Sequence, residues 1–402
     1  MADSRIQECM TEQSRMETGR ANFNKFWQDV ADRVDPATGY FTAETSPGTQ
    51  RVEKQFDATA TISLGRATAA FESFCTPRTQ KWHGLVPSEE DLAKDQSVRV
   101  YLESFRDLLF KVRYSARANF ANQNSEFIRS DLNYGNGVLY LDDDPGKSLR
   151  YKMIALPESY FAEDHQGRID RFHRKFKLTA RQIVQKFRKA KLSDRFISTA
   201  EKQPNAEYEL IHRVCANDER DPRRKDYMGM AFLGYYVLPV EETVLDMAGF
   251  GTMPYLVSRY RVNAREVYGR GPVMDILATI KTVNEMQKTN LRVGQRTAAP
   301  PLLAYRDGIA SAFNMRSDYV NYGGLDEQGR PLVRPLETNG QLPVSLEMQQ
   351  AEREVIQDAL FIEIFNVLRD NPQMTATQTL QLVQERGVLM APSVGNLQTA
   401  YA

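Results

Sequence analysis

One stretch constrains this chain more than any other: Arg265–Glu–Val–Tyr–Gly–Arg–Gly–Pro–Val–Met–Asp275, then a proline-free run through Arg296, then Pro300 and Pro301. Gly269 and Gly271 predict a tight turn. Pro272 suits the first position of a helix, where its missing N–H leaves no bond unmade. Asp275 adds negative charge in the first turn, where the helix dipole favours it. Gly294 is the only glycine between Asp275 and Arg296, and the two prolines stop the helix. A helix over 272–296 would run about 37 Å at 1.5 Å per residue. That length, with hard stops at both ends, reads as a strut between two parts of an assembly.

Charge narrows the partners. Lys plus Arg and Asp plus Glu each total 52 in 402 residues, so the chain carries no overall signature of a free nucleic-acid binder. Any DNA contact must come from local patches. The length allows two or three domains' worth of core, and 42% hydrophobic with 26% charged residues is ordinary for a folded soluble protein. Cys9, Cys75 and Cys215 are far apart and form no CxxC pair. This argues against a disulfide framework or a zinc site and fits a reducing compartment. The amino terminus lacks a signal-peptide pattern, and no run of eighteen apolar residues occurs. No membrane association is expected, and the chain reads as cytoplasmic where it is made.

Periodicity divides the chain further. The first third predicts helices over about 3–34, 57–76, 89–114 and 116–134, with Phe23, Phe26, Trp27, Val30 and Val34 recurring along the first. From 136 the pattern turns to strands. These are 137–141 and 150–155 about a turn at Asp142–Gly146, a hairpin about Asp164–Gly167, and segments at 207–216, 230–238, 242–247 and 255–261. Thr179 caps a helix inserted among them, running through Arg188. After the strut, 302–305 and 318–322 read as short strands, and Pro343 opens a second long helix to Arg369. Asn371–Pro372 breaks it, and Thr375 or Thr377 caps a last helix to about Arg386. The expected class is α+β.

Several segments stand in order along the chain. They are Trp27 with Pro36; Asp57 before a small-residue helix to Thr76–Pro77 and Trp82; and Tyr134–Gly–Asn–Gly–Val–Leu–Tyr140. Tyr160–Phe–Ala–Glu–Asp–His–Gln–Gly–Arg168, Lys177–Leu–Thr–Ala–Arg–Gln–Ile183 and Glu266–Val–Tyr–Gly–Arg–Gly–Pro272 follow. Pro300–Pro–Leu–Leu303 and Asn371–Pro–Gln–Met–Thr–Ala–Thr377 complete the set. In these segments and this order, nearly the whole chain resembles the head-to-tail connector, or portal, proteins of podovirus-type bacteriophages.

The resemblance implies a portal-like fold with a wing at 1–264, helical over 1–135 and β-rich over 136–264. Stem helices at 265–299 and 344–370 would flank a small α/β clip at 300–343. A tunnel loop and a C-terminal wing helix would occupy 371–402. Such proteins usually continue into a longer helical carboxy-terminal region, so a crown is expected to be absent or truncated in a chain that stops at Ala402. The resemblance also implies a virion protein at one capsid vertex, the head–tail junction, assembled in the host cytoplasm. It would form a ring of about twelve copies through which double-stranded DNA is packaged and ejected. The implied partners are further copies of the chain, the capsid protein, a transient terminase packaging motor, tail adaptor proteins and DNA passing non-specifically. Neither a cofactor nor catalysis is implied.

Lys281, Lys288, Arg292 and Arg296 fall on one helical face, with Val283, Met286 and Val293 opposite. As a channel wall this stripe would meet phosphates without reading sequence. Two other readings stand beside it. One is a solvated face with Glu285 near Lys288; the other is a partner for Glu347, Glu352, Glu354, Asp358 and Glu363 of the second long helix. Asn371, Gln373, Met374 and Thr375 offer amides, a hydroxyl and a thioether, suited to weak DNA contact in the channel. The plain alternative is a helix–helix connection. Gly269, Gly271 and Pro272, with Pro300 and Pro301, mark the turns at the two ends of the first stem helix.

The remaining signals read as structural. Residues 168–191 are the densest basic region, where Phe172, Phe176 and Phe187 suit the core better than a nucleic acid. Asp142, Asp143 and Asp144 are the one enzyme-like constellation, carboxylates of the kind that hold Mg²⁺. Pro145–Gly146 follow them, and neighbours on an extended segment point to opposite sides, which favours a hairpin turn. A magnesium-dependent nucleic-acid enzyme using this cluster, or another virion ring such as a tail adaptor, is the alternative reading. No GxxxxGK[ST] loop and no GxSxG elbow occurs, so no catalytic residue and no metal site is predicted. ATP hydrolysis would fall to a separate motor.

Overall fold

Apolar side chains recur at helical spacing through the first third, and three of its helices bury residues of the face that this spacing defines. The computed structural model describes residues 2–43, 46, 48–49, 51–144, 148–187, 192–304, 325, 328–335, 342–362 and 390–401. Helix α1 (Ala2–Val34) sends Trp27, Val30, Ala31 and Val34 into the main core. Helix α2 (Thr59–Cys75) buries a mostly small face, Ala60, Leu64, Ala67 and Phe71, in the same core. The expected 89–114 helix is two helices, α3 (Glu90–Lys94) and α4 (Gln96–Arg113). They part at Asp95, whose carboxylate accepts the Ser97 N–H at 2.8 Å and caps α4. Helix α5 (Phe120–Tyr134) begins after the expected 116, because Asn119 takes a left-handed φ of 54°.

Strands begin at Asn136 and form two antiparallel sheets. β1 (Asn136–Asp144), β2 (Ser148–Met153) and β8 (Tyr255–Arg259) make a three-stranded sheet in the order β2-β1-β8. β3 (Ser159–Glu163), β4 (Ile169–Thr179), β5 (Glu207–Ala216), β6 (Phe232–Leu238) and β7 (Thr243–Phe250) make a five-stranded meander. Between β4 and β5 lies α6 (Ala180–Lys186), opened by a Thr179–Gln182 capping box, and α7 (Asp194–Lys202), an unexpected helix capped by Ser193 that buries Phe196 and Ala200 on one face. The expected turn at Asp142 is corrected: Asp142, Asp143 and Asp144 continue β1 opposite Arg150, Leu149 and Ser148.

The expected 272–296 helix forms as α8 (Pro272–Asp275) and α9 (Leu277–Ala298), offset where Ile276 leaves helical geometry at ψ 12°. β9 (Leu302–Ala304) pairs with β10 (Val333–Pro335); the expected strand at 318–322 lies outside the described residues, as does the helix expected to Arg386. Helix α10 (Leu342–Ala359) is interrupted after Ala359, and residues 363–369 of the helix expected to Arg369 lie outside the described residues. Phe361 turns with φ 60°, and Ile356, Leu360 and Ile362 enter the main core. Helix α11 (390–401) returns to the body. It buries Met390 and Leu397, Ser393 and Asn396 donate to Tyr260, and the Tyr401 hydroxyl bonds Asn124. Among the described residues, no helix is long and apolar enough to cross a membrane.

Candidate functional site

Where the α/β body meets the helical hairpin of α9 and α10, three glycines and an asparagine interlock. Gly135 ends α5 at φ 74°, and a Cβ there would lie 2.4 Å from the Arg270 carbonyl carbon. Facing it, a Cβ on Gly269 would lie 2.4 Å from the Gly135 oxygen, and one on Gly271 would lie 2.5 Å from the Leu132 oxygen. Only backbone this bare lets the end of α5 meet the start of α8. Asn136 is fully buried and bonds as a neighbouring strand would. Its Oδ1 accepts the Gly269 N–H at 2.8 Å, and its Nδ2 donates to Gly269 O at 3.1 Å and Tyr134 O at 3.0 Å. Trp27 donates to the same Tyr134 carbonyl at 3.0 Å, and the Tyr268 ring stands edge-on to the indole. Pro272 opens α8 as expected, and Asp275 in that first turn pairs with Arg261 at 2.9 Å.

Two ionisable groups mark how dry this body is. Asp131, on α5 beside the joint, is 4% exposed, and burial pushes its carboxyl up to about 7; the neighbouring Ser258 hydroxyl offsets only part of that. Glu12 on α1 is the opposite case. Burial opposes its charge, but hydrogen bonds from His173 and Arg171 and the charge of Arg213 outweigh it, holding the carboxyl well below the usual range. Those bonds tie α1 across β4 and β5.

The hairpin is built differently. Its seam is a ladder of amides: Gln349, 1% exposed, donates to Gln287 at 2.7 Å and accepts from Asn290 at 3.1 Å, while Ser345 donates to Asn290 at 2.8 Å. At the body end, Arg353 pairs with Asp57 at 2.6 Å, and Asn284 Oδ1 accepts the N–H groups of Phe56 and Asp57 at 2.7 and 3.0 Å. The four stripe cations divide. Lys281 pairs with Asp29 of α1. Lys288 lies 5.3 Å over the Phe56 ring and 3.5 Å from Glu285. Arg292 and Arg296 are exposed and form no ion pair with any other described residue. On α10, Glu347, Glu354 and Asp358 are exposed and likewise form no ion pair among the described residues. Pro300 is half-buried and Pro301 exposed between α9 and β9. Asn371, Gln373, Met374 and Thr375 lie outside the described residues.

The other signals resolve into packing. Phe172, Phe176 and Phe187 are buried, and Arg171, Arg174 and Lys175 pair with Glu12, Glu158 and Glu17 of the same chain. His173 and His212 are buried, bonded to Gln13 with Glu12 and to Tyr255. Asp142, Asp143 and Asp144 lie on an extended strand, Asp142 and Asp143 both exposed. Among the described residues, no group of three or more His, Cys, Asp or Glu is placed to hold a metal ion. Asn136 stands in one of the ordered segments without its role being visible there, and Asp131 and Gln349 carry no sequence signal; each acts through burial, which only the fold reveals.

A family model described as "Bacteriophage head to tail connecting protein" matches residues 6–402. The chain is 22% identical over 384 residues to the "Probable portal protein" of Bordetella phage BPP-1, covering 94% of this chain and 69% of that one. It is 22% identical over 409 residues to the "Portal protein" of Salmonella phage epsilon15, covering 99% of this chain and 72% of that one. The match runs through body, glycine joint and hairpin alike: this chain belongs to the bacteriophage head to tail connecting protein family, as a structural connector and not an enzyme.

Proposed function

We propose that this chain is the subunit of a portal, a ring of about twelve copies set at one capsid vertex, through which double-stranded DNA is packaged and ejected. The observation that carries this reading is the hairpin. It leaves the body at the glycine joint, comes back to it through α11, and keeps a charged face of each long helix in water. In this reading 1–264 with α11 is the wing, and α8 with α9 and α10 form the stem. Residues 300–343 are the clip that meets tail adaptor proteins, and 371–375 are the loop nearest the DNA. The capsid protein and a terminase motor dock on the wing and clip, and the ring is assembled in the host cytoplasm and kept in the virion. A sliding duplex needs a wall that holds it weakly everywhere. A neutral chain with only local exposed cations supplies that through non-specific phosphate contact.

Electron microscopy of the purified chain tests it. Averages viewed down the symmetry axis should show hollow rings of about twelve subunits with a projecting stem. Monomers or compact dimers at high concentration would refute it.

A further inference from the structure

The two long helices of the hairpin carry opposite charge on opposite sides. At 100° per residue from the Gln287–Gln349 seam, Lys288, Arg292 and Arg296 fall roughly 100–180° round α9, and Glu354, Glu347 and Asp358 roughly 140–180° round α10. Both sets therefore point away from the seam, in opposite directions. Within one chain they cannot neutralise each other, and the seam between them is filled by neutral amides. The hairpin is thus a plate with a basic side and an acidic side. Met348 and Val355, 54% and 50% exposed, add uncovered apolar surface on the flank of α10 between the seam and the acidic side.

A plate with unlike faces fits a second copy of itself head to tail, which is the heterologous contact that closes rings. We propose that the basic side of α9 in one subunit packs on the acidic side of α10 in the next, with Arg296 meeting Glu347 and Lys288 meeting Glu354. The spacing supports these two pairs. Positions 288 and 296 lie about two turns apart on α9, and 347 and 354 lie about two turns apart on α10. The helices run antiparallel, so one alignment brings both pairs together. Arg292 then lies between the two pairs, facing Ala351. Each such pair is weak alone, but it recurs at every subunit boundary and loses water when the boundary closes. This inference rests on the ring reading above and assigns its contact.

Two charge-reversed variants separate the ideas. One carries Lys288→Glu with Arg296→Glu, so both sides of its plate are acidic. The other carries Glu347→Lys with Glu354→Lys, so both sides are basic. Arg296, Glu347 and Glu354 are exposed, and Lys288, half-buried over Phe56 beside Glu285, gives up only that local contact, so the first variant should melt cooperatively at a slightly lower temperature and the second as the wild-type subunit does. Size-exclusion chromatography with light scattering should find rings for the wild type, subunits for either variant alone, and rings again when the two are mixed. Rings from either variant alone, or none from the mixture, overturn the pairing while the wild-type ring stands. If the acidic variant still forms rings but no longer retains DNA, the α9 face lines the channel and the pairing is wrong. A wild-type chain that never forms rings overturns the ring reading itself.

Discussion

The glycine joint and the outer faces of the hairpin are about as unlike as two parts of one chain can be. At the joint, backbone meets backbone, every approach is too tight for a methyl group, and Asn136 spends its whole amide on main-chain partners. On the hairpin's outer faces Arg292, Arg296, Glu347 and Glu354 stand in water. The first is specified by this chain alone. The second is specified only against something outside it. Stability should therefore be concentrated at the joint and assembly on the hairpin, and mutation can separate the two.

The largest effect should come from Gly135→Ala. It sets a side chain at positive φ against the Arg270 backbone, and the expected loss is roughly 5 kcal/mol or more, seen as a missing cooperative melt. A soluble, normally melting variant would break the claim that the joint is sealed.

Asp131→Asn should act in the other direction, and with pH. The buried carboxyl holds its proton to about 7 against an ordinary value of 3.8. The unfolded chain releases that proton first, so the wild type loses stability as pH rises between those values. The variant's advantage should grow from near zero at pH 3.5 toward a ceiling of about 4 kcal/mol above pH 7. Urea unfolding at both ends measures it, and a pH-independent difference would place the effect elsewhere.

In the seam, Gln349→Ala strips partners from Gln287 and Asn290 and should cost about 2 kcal/mol in the same assay. Smallest of all, Arg292→Ala should leave the subunit's urea midpoint within about 0.5 kcal/mol of wild type. A larger loss would mean that the outer face of the hairpin is not the open surface contrasted with the joint.

Much of this architecture is legible in the sequence because it follows from local chemistry. Pro272 after Gly271, the Thr179–Gln182 capping box and the Asp164–Gly167 hairpin each need only a few neighbouring residues to declare themselves. The errors have more than one cause. Ile276 and Phe361 interrupt helices whose apolar pattern continues across them, whereas Asp95 divides another locally, by capping the helix that follows it. Asp142–Asp144 look like a turn by composition and become strand because β1 has Arg150, Leu149 and Ser148 to pair with. The stripe of cations on α9 is visible at once. That Lys281 belongs to Asp29, 252 positions away, is not, since nothing near either residue encodes the pair.

Helix α11 has a mechanical consequence. The hairpin springs from the body at Gly271, and the chain is fastened to the body again at Tyr260 by Ser393 and Asn396. It is therefore a handle riveted at both ends, not a lever hung from one. Tension drawn along the hairpin is shared between two anchorages, so neither carries the whole load. A hinge at a single root would open like a zipper, one bond after another.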